Sequence, residues 1–134
     1  GIDDRLHIVG TVPEQDLKKY YLSARVYVHP NAEPFGMNIL EAAAHGCPIV
    51  VPRKAGAAEL FEENVHGFFT DTVIYQRAKA EEYIPPIKTL LEDERLAWKM
   101  GYVAWQTSQQ HDWKNHVKRL VEVLPFSDSS SPRK

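Results

Sequence analysis

The chain is poor in the features that would commit it to a specialised class. Cys47 is its one cysteine among 134 residues, so an internal disulfide is excluded and a reducing compartment is expected. No run approaches the roughly 20 apolar residues that a membrane-spanning helix needs. Neither sign of charge dominates: 16 Lys and Arg oppose 18 Asp and Glu, and the formal net charge is -2. The basic footprint of a nucleic-acid-binding domain is therefore missing, and nucleic acid is not an expected partner. The opening residues GIDDRLHIVG have neither the charged start nor the long apolar core of a signal peptide, which points to a cytoplasmic protein. Position 1 is not Met and an apolar run begins at Leu6, a start expected of a portion of a longer protein. No G-x-G-x-x-G follows a predicted strand, which argues against a dinucleotide-dependent oxidoreductase. His29 and His45 lack the spaced partners of a zinc site, so they read as strand-end and helix-end residues and no metal is expected.

What is present is ordinary for a globular domain: 43% apolar and 25% charged residues. Leu6 to Val9 reads as a short strand closed by Gly10, and Pro13-Glu14-Gln15-Asp16 opens an amphipathic helix through Leu17, Tyr20, Tyr21 and Ala24. Val26 to His29 is a β-branched and aromatic strand stopped by Pro30, and Met37 to His45 is a helix ended by Gly46. Pro48 to Val51 is a continuous apolar strand of the kind buried on both faces of a parallel sheet. Gly56 to Leu60 begins another short helix, and Gly67 to Thr70 supplies one more strand. Strands alternating with helices at this spacing predict an α/β domain with a parallel, Rossmann-like sheet flanked by helices.

After Asp71 the pattern is helical only. One stripe runs through Tyr83, Ile84, Ile87, Leu90 and Leu91, with Pro85 and Pro86 expected to start or kink its helix. Further helices are expected from Leu96 to about Ser108 and from Trp113 to Leu124. Trp98, Trp105 and Trp113 read as packing residues. The predicted organisation is one domain over residues 1–125 and a polar, disordered tail over 126–134. Cys47, between Gly46 and Pro48, reads as a small buried residue rather than a nucleophile.

The stretch with chemical content is Glu33-Pro-Phe-Gly-Met-Asn-Ile-Leu-Glu41, two acids separated by seven residues across a strand-loop-helix junction. Open parallel sheets take ligands at the carboxyl ends of their strands, and a helix starting after Gly36 would aim unbonded N–H groups at that crevice, which suits a diphosphate. Glu41, about one turn into the helix, can accept two hydroxyl hydrogen bonds, as from a ribose. Glu33 would then face whatever lies beyond the phosphates. Taken alone, the pair also fits two solvated surface acids beside a core of Phe35, Met37, Ile39 and Leu40. Arg53 and Lys54 stand either near the same crevice, where they would touch phosphate, or on a solvated loop.

The segment VYVHPNAEPFGMNILEAAAHGCPIVVPRKAGAAELFEENVHGFF, Val26 to Phe69, resembles the donor-binding core of the retaining GT-B glycosyltransferases, the Glu-x7-Glu family that includes sucrose, glycogen and lipopolysaccharide sugar transferases. His111-Asp112-Trp113 stands where that family usually has an aromatic-Ser-Trp at the start of its last helix. The resemblance implies the C-terminal half of a GT-B fold and transfer of a hexose from a UDP-, GDP- or ADP-sugar, without a further cofactor. It implies that Glu33 approaches the hydroxyls of the donor sugar as the catalytic residue. By the same resemblance Phe35, Gly36, Met37 and Asn38 contact sugar and diphosphate through the backbone, and Glu41 holds the ribose. Gly56 matches part of a family Gly-Gly, and Glu59 matches a recurring acid beyond it; as a helix-start charge Glu59 equally complements the macrodipole. Pro34 and Ala55 depart from the glycines frequent there. The Arg and Lys that steady the phosphates, and the N-terminal domain that binds the acceptor, lie upstream in the family, so the partners implied are a nucleotide-sugar donor and that domain or a partner chain. The isolated segment is then expected to be inactive. A non-catalytic sugar-nucleotide-binding or interaction module is the alternative.

Overall fold

The structure, a computed structural model, describes residues 3–112 and residue 122. Its centre is the strand richest in apolar side chains. Ile49–Pro52 (β2) is buried along its whole length and lies between Tyr27–Val28 (β1) and Gly67–Thr70 (β3) in a parallel sheet of order β1-β2-β3. The register sets Ile49 between Tyr27 and Gly67, and Val50 between Val28 and Phe68. Alternation along the strands then sorts the side chains to two faces, each of which needs its own cover.

On one face Ile49 and Val51 pack with Ile39 and Ala43 of the helix Met37–Ala44 (α2), and with Ala57, Ala58 and Phe61 in and after a 3-10 helix at Gly56–Leu60. On the other, Val50 packs with Tyr83 and Leu90 of Ala80–Glu92 (α3) and with Ala97 and Met100 of a further helix, Glu94–Gln110 (α4). The helix Glu14–Ser23 (α1) joins through Tyr21, which is buried against Ala42 and Cys47. Over the described residues the expected parallel α/β sheet, followed by helices to Gln110, is the observed one.

Four local expectations are corrected. Leu6 to Val9 is not a strand: Leu6, Ile8 and Val9 are exposed and no ladder reaches them among the described residues. An apolar run becomes a strand only where a neighbour supplies hydrogen bonds, and none does. Tyr20 of α1 and Ala24, just beyond its end, are exposed, and Leu17 is half-buried. Pro85 and Pro86 do not start α3, which runs through both. Pro85 and Glu81 are exposed, so a carbonyl that a proline leaves unbonded there is open to water. Finally, Trp98 is 70% exposed and Trp105 is also at the surface, because α4 buries its Ala97, Gly101 and Ala104 side instead. Trp113, the helix expected to follow it and the 126–134 tail fall outside the described residues, apart from Glu122.

Candidate functional site

At the carboxyl end of β1 the chain passes through His29 and Pro30 into the loop holding Glu33, and it enters α2 at Gly36. Gly36 is the N-cap residue in the left-handed region, φ 67° and ψ 42°, where a glycine carries no Cβ penalty. No side chain caps this end; Gly36 O accepts from Ile39 N, within the helix's own first turn. The first N–H groups of α2 therefore face outward without a side-chain acceptor, the arrangement that favours an anion. Phe35 and Met37, 79% and 60% exposed, flank this opening, and Asn38 is exposed beside them. Of the four residues that a purely structural reading assigned to the core, Ile39 alone is fully buried and Leu40 is half-buried.

Gly56 fixes the loop from behind. Its N–H donates to Glu33 O at 2.9 Å, and a Cβ built on it would lie 1.7 Å from Pro34 O. That N–H is committed to the loop, so Gly56 shapes the opening through its backbone. Ala57 follows it and packs toward the N-cap glycine: a Cβ on Gly36 would stand 3.5 Å from Ala57 Cβ. Glu59 is exposed in the first turn of the 3-10 helix.

Glu33 and Glu41 come together around one ring that the sequence did not single out. Both charges act on Tyr27, whose phenol is pushed well above its ordinary range, first by burial and then by Tyr21, Glu33 and Glu41. Glu41 Oε2 accepts from Tyr21 Oη at 3.3 Å. Burial, followed by the Glu41 charge and hydrogen bond, pushes the Tyr21 phenol up to about 12. Glu33 Oε1 lies 2.8 Å from His29 Nε2. His45, Tyr21, Tyr27 and His29 continue as a row of neighbouring rings with centroids 5.3 to 6.0 Å apart. Only tertiary packing brings α1 to this row, so sequence spacing gave no signal for Tyr21 or Tyr27.

Arg53 is not turned to the opening. Its guanidinium pairs with Glu63 at 2.8 Å, approaches Asp71 at 3.5 Å and lies over Phe69, and the Glu63 hydrogen bond leads the causes that raise its pKa. Lys54 is exposed on the same loop. Cys47 is buried with its thiol donating to Tyr21 O, and burial raises its pKa to about 11, the state of a packing residue rather than a nucleophile. Among the described residues no three His, Cys, Asp or Glu side chains gather as a metal ion would require, and no helix is long and apolar enough to cross a membrane.

A parallel sheet covered by helices on both faces defines a Rossmann-like α/β domain. The chain belongs to the glycosyl transferases group 1 family, whose model matches residues 1–107. Among curated relatives it is 27% identical to a sulfoquinovosyl transferase of Arabidopsis thaliana over 83% of this chain and 22% of that protein. It is 29% identical to a D-inositol 3-phosphate glycosyltransferase of Corynebacterium urealyticum over 98% of this chain and 31% of that one. Among solved structures it is similar to sucrose-phosphate synthase from Thermosynechococcus elongatus, with TM-score 0.78 and 25% identity over 90% of this chain and 29% of that one. It is also similar to Anabaena HepE in complex with UDP, with TM-score 0.75 and 26% identity over 92% of this chain and 34% of that one. The fold is that of GT-B glycosyltransferases, and the chain spans between about a fifth and a third of the length of these relatives.

Proposed function

We propose that this chain is the donor-binding part of a retaining glycosyltransferase, taking a hexose from a UDP-, GDP- or ADP-sugar for transfer to an acceptor held by another domain or chain. One observation carries the reading: the start of α2, which no side chain caps, follows the loop that carries Glu33 beyond β1 and leads to Glu41 on the same helix. In it, the diphosphate meets the N–H groups of Met37 and Asn38, where the helix dipole and unbonded donors oppose the negative charge that grows as the bond from sugar to phosphate breaks. Glu41 accepts from the two ribose hydroxyls, and Glu33 accepts from hydroxyls of the sugar and holds it over the opening. Phe35 and Gly36 line the approach, Gly56 maintains the loop, and Glu59 stands at its outer margin. The similar HepE is in complex with UDP, which supports a nucleotide as ligand. Cytoplasmic location and the absence of a further cofactor belong to the same reading.

A binding module without catalysis is favoured by one feature: the guanidinium of Arg53, beyond β2, is committed to Glu63 and Asp71 rather than to a leaving group. Both readings require a nucleotide site. Calorimetric titration of the chain with UDP, GDP and ADP, and with their glucose or mannose derivatives, tests it. One base is expected to saturate, and Glu41→Ala is expected to weaken it roughly tenfold or more, the worth of a charge-assisted hydrogen bond. A folded chain that binds none of them, or an Glu41→Ala variant that binds as well as wild type, would overturn the assignment.

A further inference from the structure

His29 is 7% exposed, and it is held through both its ring and its backbone. Tyr27 Oη lies 2.9 Å from Nδ1, while the backbone carbonyl of His29 accepts from Tyr83 Oη at 3.1 Å. Tyr83 in turn accepts from Thr70 at 3.0 Å and contacts Thr72 at 3.3 Å, so strand end and ring are pinned together. The direction of the Tyr27–His29 hydrogen bond follows the ring tautomer. The Tyr27 phenol, kept protonated by burial, has an O–H to donate, and with Nδ1 accepting it the proton of the neutral ring sits on Nε2. That Nε2 is buried without a hydrogen-bond partner among the described residues. Glu33 Oε1 is 2.8 Å away, within reach in distance but not aligned on the N–H direction. An unmet buried donor is costly, and the Glu33 side chain, 44% exposed, has the freedom to turn onto it.

We infer that His29 is a positioning residue for Glu33: when a sugar nucleotide is bound, one Glu33 oxygen accepts from His29 Nε2–H and the other is presented to a hydroxyl of the sugar. The inference rests on the proposed donor site. Tyr27 fixes the tautomer, His29 fixes the carboxylate and Glu33 meets the ligand, so the effect of His29 is confined to the sugar. A role in folding alone would affect nucleotide and sugar nucleotide alike.

Two measurements separate these cases. In titrations, His29→Phe is expected to lose roughly tenfold in affinity for the NDP-sugar while binding of the bare NDP is unchanged; His29→Gln, which keeps a donor near the Nε2 position, is expected to stay within about threefold of wild type for both. Equal losses for both ligands, or no rescue by Gln, would overturn the inference. The second measurement needs no ligand. Nitrogen-detected NMR of the His29 ring is expected to show the Nε2–H tautomer in wild type and a mixture in Tyr27→Phe. A Nδ1–H tautomer in wild type would overturn the relay even if nucleotides bind. Failure of every nucleotide to bind, with the Nε2–H tautomer present, would instead count against the donor site and remove the positioning role with it.

Discussion

Gly56 shows how one residue without a side chain shapes a site. Its missing Cβ leaves room for Pro34 O, and its N–H holds Glu33 O, so the loop carrying the first acid is pressed against the start of the 3-10 helix. Gly56→Ala forces backbone to move and is expected to lower the unfolding free energy by about 1–3 kcal/mol, read from urea denaturation. It should weaken any nucleotide-sugar binding more than binding of the bare nucleotide, because the displaced backbone is Pro34, next to Glu33. Cys47 makes a separate prediction from charge. Its thiol is pushed from the ordinary 9.0 to about 11 by burial, so the folded protein binds that proton more tightly than the unfolded chain does. The associated stability is fully present below pH 9 and is lost as pH rises through about 11. Denaturation midpoints should fall over that window and fall less in Cys47→Ala; an identical slope in both would show that the thiol is not responsible.

Among the elements, the strands were readable where the chain itself supplied the reason for burial. Ile49, Val50 and Val51 have no polar neighbour in the strand and occupy the centre of the sheet. Leu6 to Val9 looks similar on paper and is not a strand, because strand identity belongs to a pair and the partner is not written in the segment. The acids Glu33 and Glu41 were legible from their spacing about a helix start. The rings that hold them, Tyr21, Tyr27 and His29, were not, since contacts between residues as far apart as Tyr21 and Glu41 depend on how α1 docks. Helix ends follow local chemistry more closely. Asp93 joins α3 to α4 and caps the latter, accepting from Leu96 N at 2.9 Å. Asp93→Ala is expected to cost about 1 kcal/mol in denaturation experiments, whereas Asp93→Asn should be nearly neutral. Equal losses in the two variants would place the effect in charge rather than in the cap.

Across the whole molecule the two ends of the sheet differ in character. Loops after the carboxyl ends of β1 and β2 bring Glu33, Gly36 and Gly56 together, while the other end of α2, at His45 and Gly46, borders a groove with Leu22, Trp98, Tyr102 and Trp105. Trp98 and Tyr102 stack with ring centroids 5.4 Å apart, which keeps part of this apolar surface against itself. The described sheet has three strands, and the chain spans 22–34% of the relatives compared. The central claim is that the start of α2 receives the diphosphate. An amide-resolved NMR titration of the folded chain with UDP, GDP and ADP tests it most directly. The largest shifts are expected at Gly36, Met37 and Asn38, with a smaller set around Glu41 and Tyr21. Shifts centred on the groove at Trp98 and Trp105, or an unchanged spectrum with all three nucleotides, would contradict it.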